Sequence, residues 1–344
     1  MSETIIEKLS LIVNETFNQY HKSFLIISGT VLTGWLYNKY WINRRLFSSC
    51  QSMEGKTVLI TGGNTGIGYE TAKDLLQRGA RVIIACRNVN KGYEAIHKLI
   101  NESGCSKSNI RVMECDLCSF DSVRNLAKLY NEEEDRLDIL ICNAGLGYSS
   151  TIITKDGFNP VIQTNYLSHF LLTNLLLNKL KQSKPSRIIN ISSDLHKAVK
   201  SIDWSDALTQ FHKTSLFGSY APSKLFQILS TYKLKQDLLD NENINSFSLT
   251  PGLVSTSIKD PMEESINFFT SIFYYPLFYL MKFLFSKTPQ SGAQTSIYCT
   301  IQSHLQKSKD LYFENCTAVK SSPLTMDPLL AEKLWTISCQ AVGI

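Results

Sequence analysis

An α/β fold, with one parallel sheet covered by helices on both faces, is predicted by three observations. Short apolar runs alternate with amphipathic stretches from Gly55 to the C-terminus. The first run feeds a glycine-rich loop that opens a helix, "TVLITGGNTGIGYETAKDLL". No repeat, low-complexity tract or linker divides the chain. A Rossmann-type doubly wound parallel sheet in a single catalytic domain satisfies all three.

The elements follow in order. Val58, Leu59 and Ile60 form a short apolar run suited to a buried parallel strand. Gly62, Gly66 and Gly68 come next, then a helix with Ala72, Leu75 and Leu76 on one side, stopped by Gly79. "RVIIAC" is the second strand and "IRVMECDL" the third, followed by the helix "DSVRNLAKLYNEEE". "LDILICNAG" is a strand, "NYLSHFLLTNLLLNKL" a long apolar helix, and "SRIINISS" and "INSFSLTPG" two further strands.

At 344 residues, 43% hydrophobic and 19% charged, the chain can bury a large core. Its net charge of +5 comes from scattered Lys and Arg, which argues against nucleic acid as a partner. Nine cysteines, an odd number without repeated short spacings, argue against a disulfide framework. Cys115 and Cys118 form one C-x-x-C, but no further pair stands at zinc-ligand spacing, so no metal is expected.

Residues 1–50 form an N-terminal segment with a membrane anchor at about 23–42, and 51–344 the catalytic domain. "SFLIISGTVLTGWLYN" carries no charge, and Trp35, Tyr37, Tyr40, Trp41 and Lys39 suit a membrane interface. A cleaved signal peptide would need small residues at its exit, where bulky aromatics stand instead. Glu3, Glu7 and Glu15 disfavour a mitochondrial presequence. Lys39, Arg44, Arg45 and Lys56 after the segment outnumber Lys8 and Lys22 before it, so the C-terminal part should face the cytosol.

"GSYAPSK" places Tyr220 and Lys224 four apart, on one face of a helix. An ammonium beside a phenol lowers the phenol's pKa and equips the pair to move protons near neutral pH. Tyr69 and Lys73 have the same spacing, so the surroundings must decide. At the end of the second strand stand Arg87 and Asn88, with no acid until Glu94. A ribose-binding carboxylate is absent there, and arginine suits a phosphate.

"TGGNTGIG", "CNAG", Asn165, "NISS" ending in Ser193, "YAPSK" and "TPG" occur in that order. This order and spacing resemble the short-chain dehydrogenase/reductase family. "ACRN", "RIINISS", "KTPQSGAQTSIYC" and "LWTISC" are similar to its membrane-bound retinol dehydrogenases. The resemblance implies that Tyr220 is the general acid/base, that Lys224 lowers its pKa and holds the nicotinamide ribose, that Ser193 binds the substrate carbonyl, and that Asn165 positions a relay water. It implies NADP(H) as cofactor, held by Gly62, Asn64, Thr65, Gly66, Ile67 and Gly68, with Arg87 at the 2′-phosphate. Asp116 and Leu117 would meet the adenine and Asn143, Ala144 and Gly145 the adenosine side. Pro251, Gly252 and Thr256, together with Tyr220 and Lys224, would take the nicotinamide end.

The implied substrate is a hydrophobic alcohol or aldehyde, retinol/retinal first and lipid aldehydes or steroids next. The implied place is the endoplasmic reticulum membrane, a mitochondrial membrane being the alternative, and a homo-oligomer is compatible with the family. A membrane-tethered interaction protein reusing the fold is the non-enzyme alternative. Two departures stand out: Cys142 replaces an asparagine that helps to hold the sheet, and Pro222 lies between Tyr220 and Lys224. The proline is tolerable within a first turn capped by Ser219.

The aromatic stretch at about 260–286 is expected to wall an apolar pocket and dip into the interface, since the segment after it packs on the nucleotide domain. His169, His196 and His212 invite a serine-hydrolase triad with Ser193, but no G-x-S-x-G elbow surrounds it. Of the sequons at Asn14, Asn190 and Asn315, Asn190 falls in a packed strand that excludes a glycan.

Overall fold

The computed structural model describes residues 20–21, 29–30, 32–43, 47–149, 153–209, 218–256, 275, 279–280 and 282–344. Strands β1 (Thr57–Thr61), β2 (Arg81–Cys86), β3 (Ile110–Glu114), β4 (Ile139–Cys142), β5 (Ser186–Ile191), β6 (Ile244–Thr250), β7 (Tyr312–Glu314) and β8 (Thr317–Ala318) form one sheet in the order β3-β2-β1-β4-β5-β6-β7-β8. The pairings from β3 through β7 are parallel, and β8 closes the edge antiparallel to β7. The strand order reverses between β1 and β4, which opens a crevice at their carboxyl ends.

Each strand's alternation sends its side chains to two separate cores. Leu59, Ile83 and Leu140 pack on one face with α3 (Phe120–Glu133), α5 (Ser168–Gln182), α6 (Tyr220–Glu242) and α8 (Pro328–Val342). Val58, Ile60, Val82, Ile84, Ile139 and Ile141 pack on the other, with α1 (Gly66–Gln77), α2 (Val89–Ser103) and α7 (Pro289–Ile301). Near-continuous β-branched and leucine runs are what a sheet buried on both sides requires. The doubly wound reading holds, and its six predicted strands gain β7 and β8.

A short α4 (Pro160–Ile162) runs through a π-turn (Gln163–Leu167) into α5. The long apolar helix predicted from Asn165 therefore starts earlier, where Asn159 caps the backbone N–H groups of Val161 and Ile162. Residues 23–28 and 31 of the expected anchor, most of the aromatic stretch, His212 and Asn14 lie outside the described residues. Among the described residues, no helix is long and apolar enough to cross a membrane.

Two buried charges lock the sheet. Arg187 at the base of β5 donates to the carbonyls of Cys299, Thr300 and Gln302, at the C-terminus of α7, where a cation opposes the helix dipole. Burial lowers its pKa to about 10. Asp138, just before β4, accepts from Thr57 N, Lys56 Nζ and two nitrogens of Arg136, at 2.7–2.9 Å. Burial opposes its charge, but the bonds from Arg136, Thr57 and Lys56 outweigh that and hold the carboxyl below the ordinary range.

Asp138→Asn should cost about 1–3 kcal/mol in a denaturant titration, because a neutral amide cannot accept all the bonds that the buried carboxylate takes from Thr57, Lys56 and Arg136. A folded pKa below the unfolded one means that the native state binds fewer protons. The contribution is therefore complete above the unfolded value, near pH 4, and disappears as pH falls through the folded value. The variant should lose that acid limb of the stability curve; an unchanged limb would assign it to other carboxylates.

Candidate active site

The glycine loop is shaped by three backbone demands. Gly62 and Gly66 have φ of 66° and 58°, in the left-handed region where a side chain is strained. A Cβ on Gly68 would sit 2.5 Å from both Asn143 Nδ2 and the Gly62 carbonyl oxygen. Thr65, in extended conformation, precedes the first turn of α1, so free N–H groups at that helix terminus face the crevice.

Asn143 ties the loop down: its Nδ2 donates to the Thr61 carbonyl at 2.8 Å, and its backbone N–H to Thr61 Oγ1 at 2.9 Å. Ala144 N–H donates to the same hydroxyl at 3.1 Å. The link between β1 and β4 thus survives the departure at Cys142, whose thiol is fully buried and pushed up to about 12 by burial.

Tyr220 opens α6 and Pro222 lies in its first turn, where a missing N–H breaks no helical bond. Ser219 occupies the capping position but does not cap. Its backbone is already helical, and its buried Oγ finds no partner among the described residues. Ser223 serves the turn instead, donating to the Tyr220 carbonyl at 2.7 Å and accepting from Asn165 Nδ2 at 2.9 Å.

Lys224, one turn on, is 4% exposed, and its Nζ lies 5.5 Å from the Tyr220 ring centroid. It donates to the Ile191 carbonyl at 2.7 Å and to Gln227 Oε1 at 3.2 Å. Burial alone lowers it to about 7. Burial likewise pushes the Tyr220 phenol up to about 12, against a hydrogen bond from Ser193 that lowers it. The lowering of Tyr220 expected from Lys224 is therefore absent here. Burial acts on both groups in the same sense, disfavouring the ammonium and the phenolate alike.

Asn165 lies in the π-turn and is fully buried. Its Oδ1 accepts from Leu146 N–H at 2.7 Å, and its Nδ2 donates to the Leu146 carbonyl at 2.9 Å. Its own carbonyl accepts from Gln227 Nε2 at 2.8 Å and from His169 Nδ1 at 3.0 Å. A Cβ on Gly145 would meet Asn165 Oδ1 at 3.2 Å and Lys224 Nζ at 3.6 Å. These contacts make a cradle that a larger residue would fill.

One cavity of about 1060 Å³ joins these parts, at the upper end of the usual size for cofactor sites. Gly62, Thr65, Gly66 and Ile67 line it at the loop, and Asn143, Ala144 and Gly145 in the middle. Arg87 and Asp116 line one end, and Tyr220, Lys224, Pro251 and Thr256 the other. Asn64, Gly68, Gly252, Ser193 and Asn165 do not line it. Leu117 points into the core, so only its backbone can face a ligand.

Sequence reasoning missed Glu114, Cys118, Tyr148 and Lys155, which also line the cavity. Glu114 ends β3 beside Cys86, and the β2–β3 register is the signal that would have found it.

The rival clusters come apart. Tyr69 and Lys73 lie outside the cavity lining; Lys73 pairs with Glu70 at 2.8 Å and Glu102 at 3.2 Å. Burial and those carboxylates raise the Tyr69 phenol. His169 Nε2 bonds Thr61 Oγ1 at 2.8 Å, and burial lowers the ring to about 4. His196 faces the Ser193 carbonyl, not its hydroxyl, and accepts Ser322 N–H at 3.0 Å. All nine cysteines are free thiols, and no metal-ligand cluster occurs among the described residues.

The chain matches the family described as short chain dehydrogenase over residues 56–267. It is 38% identical over 306 residues to retinol dehydrogenase 11 of Mus musculus, covering 88% of this chain and 92% of that one. Over 300 residues it is 40% identical to retinol dehydrogenase 14 of the same organism, covering 85% and 87%. Among solved structures, the oxidoreductase yciK from E. coli superposes with a TM-score of 0.59 at 20% identity, over 78% of this chain and 98% of that one.

Proposed function

The chain belongs to the short-chain dehydrogenase family and is an oxidoreductase, and from that premise we propose that it uses NADP(H) to interconvert a hydrophobic aldehyde and its alcohol, retinal and retinol first. The family assignment sets aside the tethered non-enzyme. The observation that carries the reading is the joining of Tyr220 and Lys224 to the glycine loop and Arg87 in one cavity.

The residues fit a dinucleotide. Gly62, Gly66 and the start of α1 would take the pyrophosphate, and Arg87 the 2′-phosphate. Lys224, with Pro251 and Thr256 near it, would take the nicotinamide ribose. The bound nicotinamide supplies or accepts the hydride. Ser193 holds the substrate oxygen against Tyr220, and Tyr220 gives its phenolic proton to that oxygen as the carbon is reduced. With its pKa near 12, the phenol starts as an acid, which suits reduction. Asn165 braces the Leu146 turn and the first turn of α6 through both of its side-chain atoms. The purified protein should consume NADPH with retinal; no consumption with retinal, a lipid aldehyde or a steroid would overturn the reading.

The same reading puts the chain on the endoplasmic reticulum membrane, anchored from the N-terminus with the domain in the cytosol. Trp35, Tyr37, Tyr40 and Trp41 are 40–65% exposed, and Lys39 Nζ lies 5.0 Å from the Trp35 ring and 5.4 Å from Tyr40. Amphipathic rings with a snorkelling lysine suit a headgroup layer. In sealed microsomes, protease should digest the domain after Arg45 without detergent. Protection, or a glycan on the exposed Asn315, would reverse the orientation. Asn190 cannot report, because it is buried in β5 and donates to Thr231 at 3.0 Å.

A further inference from the structure

The geometry points to Asn38 and Asn43 as positioning residues, a clasp that fastens the N-terminal helix to the wall of the nucleotide cavity. The two lie five apart, which on an α-helix would separate them around the axis. Here residues Asn38–Ile42 form a π-turn, closed by Asn43 N–H donating to the Asn38 carbonyl at 2.9 Å. The wider turn stacks the two side chains, with Asn43 Nδ2 2.6 Å from Asn38 Oδ1. Single π-turns inside helices recur at functional sites, because they re-aim side chains at a cost in helix geometry.

What the pair holds is a strip nearly 250 residues away, where a helical turn ends at Phe285 and the chain runs on through a bridge at Lys287 to Thr288. Asn38 Nδ2 donates to the carbonyls of Leu284 and Ser286, at 2.8 and 2.9 Å. Asn43 Oδ1 accepts the N–H of Thr288, the residue that caps α7, at 2.6 Å. Gly34 makes room for the contact: a Cβ there would meet Leu284 Cδ2 at 2.9 Å. Leu284 is accordingly 9% exposed, between Phe283 at 59% and Phe285 at 39%.

The strip in turn pairs with the chain leaving β6. Lys287 N–H donates to the Leu253 carbonyl at 2.7 Å, and Ser255 N–H to the Lys287 carbonyl at 2.9 Å, in parallel register. Pro251 and Thr256, at either end of that paired stretch, line the cavity. Thr256 Cγ2 would lie 3.4 Å from a Cβ on Gly66, so it abuts the glycine loop. Hydrogen bonds at both edges of the strip, joined by short stretches of chain, therefore connect the N-terminal helix to the wall assigned to the nicotinamide end. An anchor needs no such polar pair; a device that holds the wall in place does.

The inference rests on the reading of this cavity as the nucleotide site, and its test separates the two. In the full-length double variant Asn38→Ala/Asn43→Ala, amide exchange at Lys287 and Ser255 should quicken about tenfold, as for a strip that has lost its outer hydrogen bonds. NADPH Kd should rise about fivefold, with kcat at saturation within about twofold of wild type, because the variant loosens a wall and removes no reacting group. Tyr37→Ala, on the same helix but outside the clasp, should change neither.

Wild-type exchange or an unchanged Kd in the double variant overturns the clasp, and so does a Tyr37→Ala that mimics it. If the double variant also loses amide protection in β1, it is unfolded, and Asn38→Ala alone is read by the same criteria. Wild-type protein that binds no NADPH would sink the cofactor reading, and exchange alone would then decide the clasp.

Discussion

Tyr220→Phe is expected to lower kcat by about 10³-fold, the usual worth of a positioned proton donor, while NADPH binding stays within about twofold. The substitution removes one hydroxyl and keeps the ring that packs 5.5 Å from Lys224 Nζ. The other nucleotide contacts, assigned to the glycine loop, Arg87, Lys224, Pro251 and Thr256, do not change, and the ring of residue 220 stays at the nicotinamide end. A kcat within about tenfold of wild type would mean that the proton comes from elsewhere. Tyr69→Phe is the matched control and should be silent in the same assay. Its environment is the opposite one, with Lys73 committed to Glu70 and Glu102 and no serine strand opposite the phenol.

That contrast shows why spacing alone was not enough. Both pairs are i,i+4 on a helix, and both sequences read alike. What separates them is which helix carries them and what the sheet brings opposite, both properties of chain order. The order of the glycine loop, Asn143, Ser193 and Pro251 was visible, because each motif follows an apolar run that ends at the same edge of a parallel sheet, and Tyr220 falls between the last two. The six strands from β1 to β6 were legible for the same reason.

The rest was hidden for identifiable reasons. The β7–β8 hairpin turns at Asn315 and Cys316, both with positive φ and neither a glycine, so the usual Asn-Gly signal is missing. The cap of α8 was written in Asp327–Pro328 and went unread, although Asp327 Oδ1 accepts from Leu329 N–H at 2.8 Å. Ser219 carries the right side chain for a cap, yet its helical backbone turns the hydroxyl away. The protonation states of Tyr220 and Lys224 depend on burial supplied by distant segments, as does the contact between Asn38 and the strip at Leu284. Neither leaves a local trace in composition or periodicity.

Arg87→Asp should shift the NADPH-to-NADH ratio of kcat/KM by about 10²-fold toward NADH. Arg87 follows directly on β2, is exposed, and lines the cavity beyond the glycine loop, where the adenosine ribose would lie. A charge-assisted pair with a phosphate is worth about 2–3 kcal/mol, and the new carboxylate both repels the 2′-phosphate and accepts a ribose hydroxyl. At 1.4 kcal/mol per factor of ten, the loss for NADPH alone reaches about 10²-fold. Glu114 complicates the site usefully. It ends the neighbouring strand and lines the same wall, so it offers the acid that the second strand lacks. If Glu114 already served the ribose, Arg87→Asp would leave the ratio unchanged, and Glu114→Gln would instead weaken NADH. A ratio that moves with Arg87 and not with Glu114 assigns the 2′-phosphate to the arginine; the reverse would make the protein an NAD enzyme.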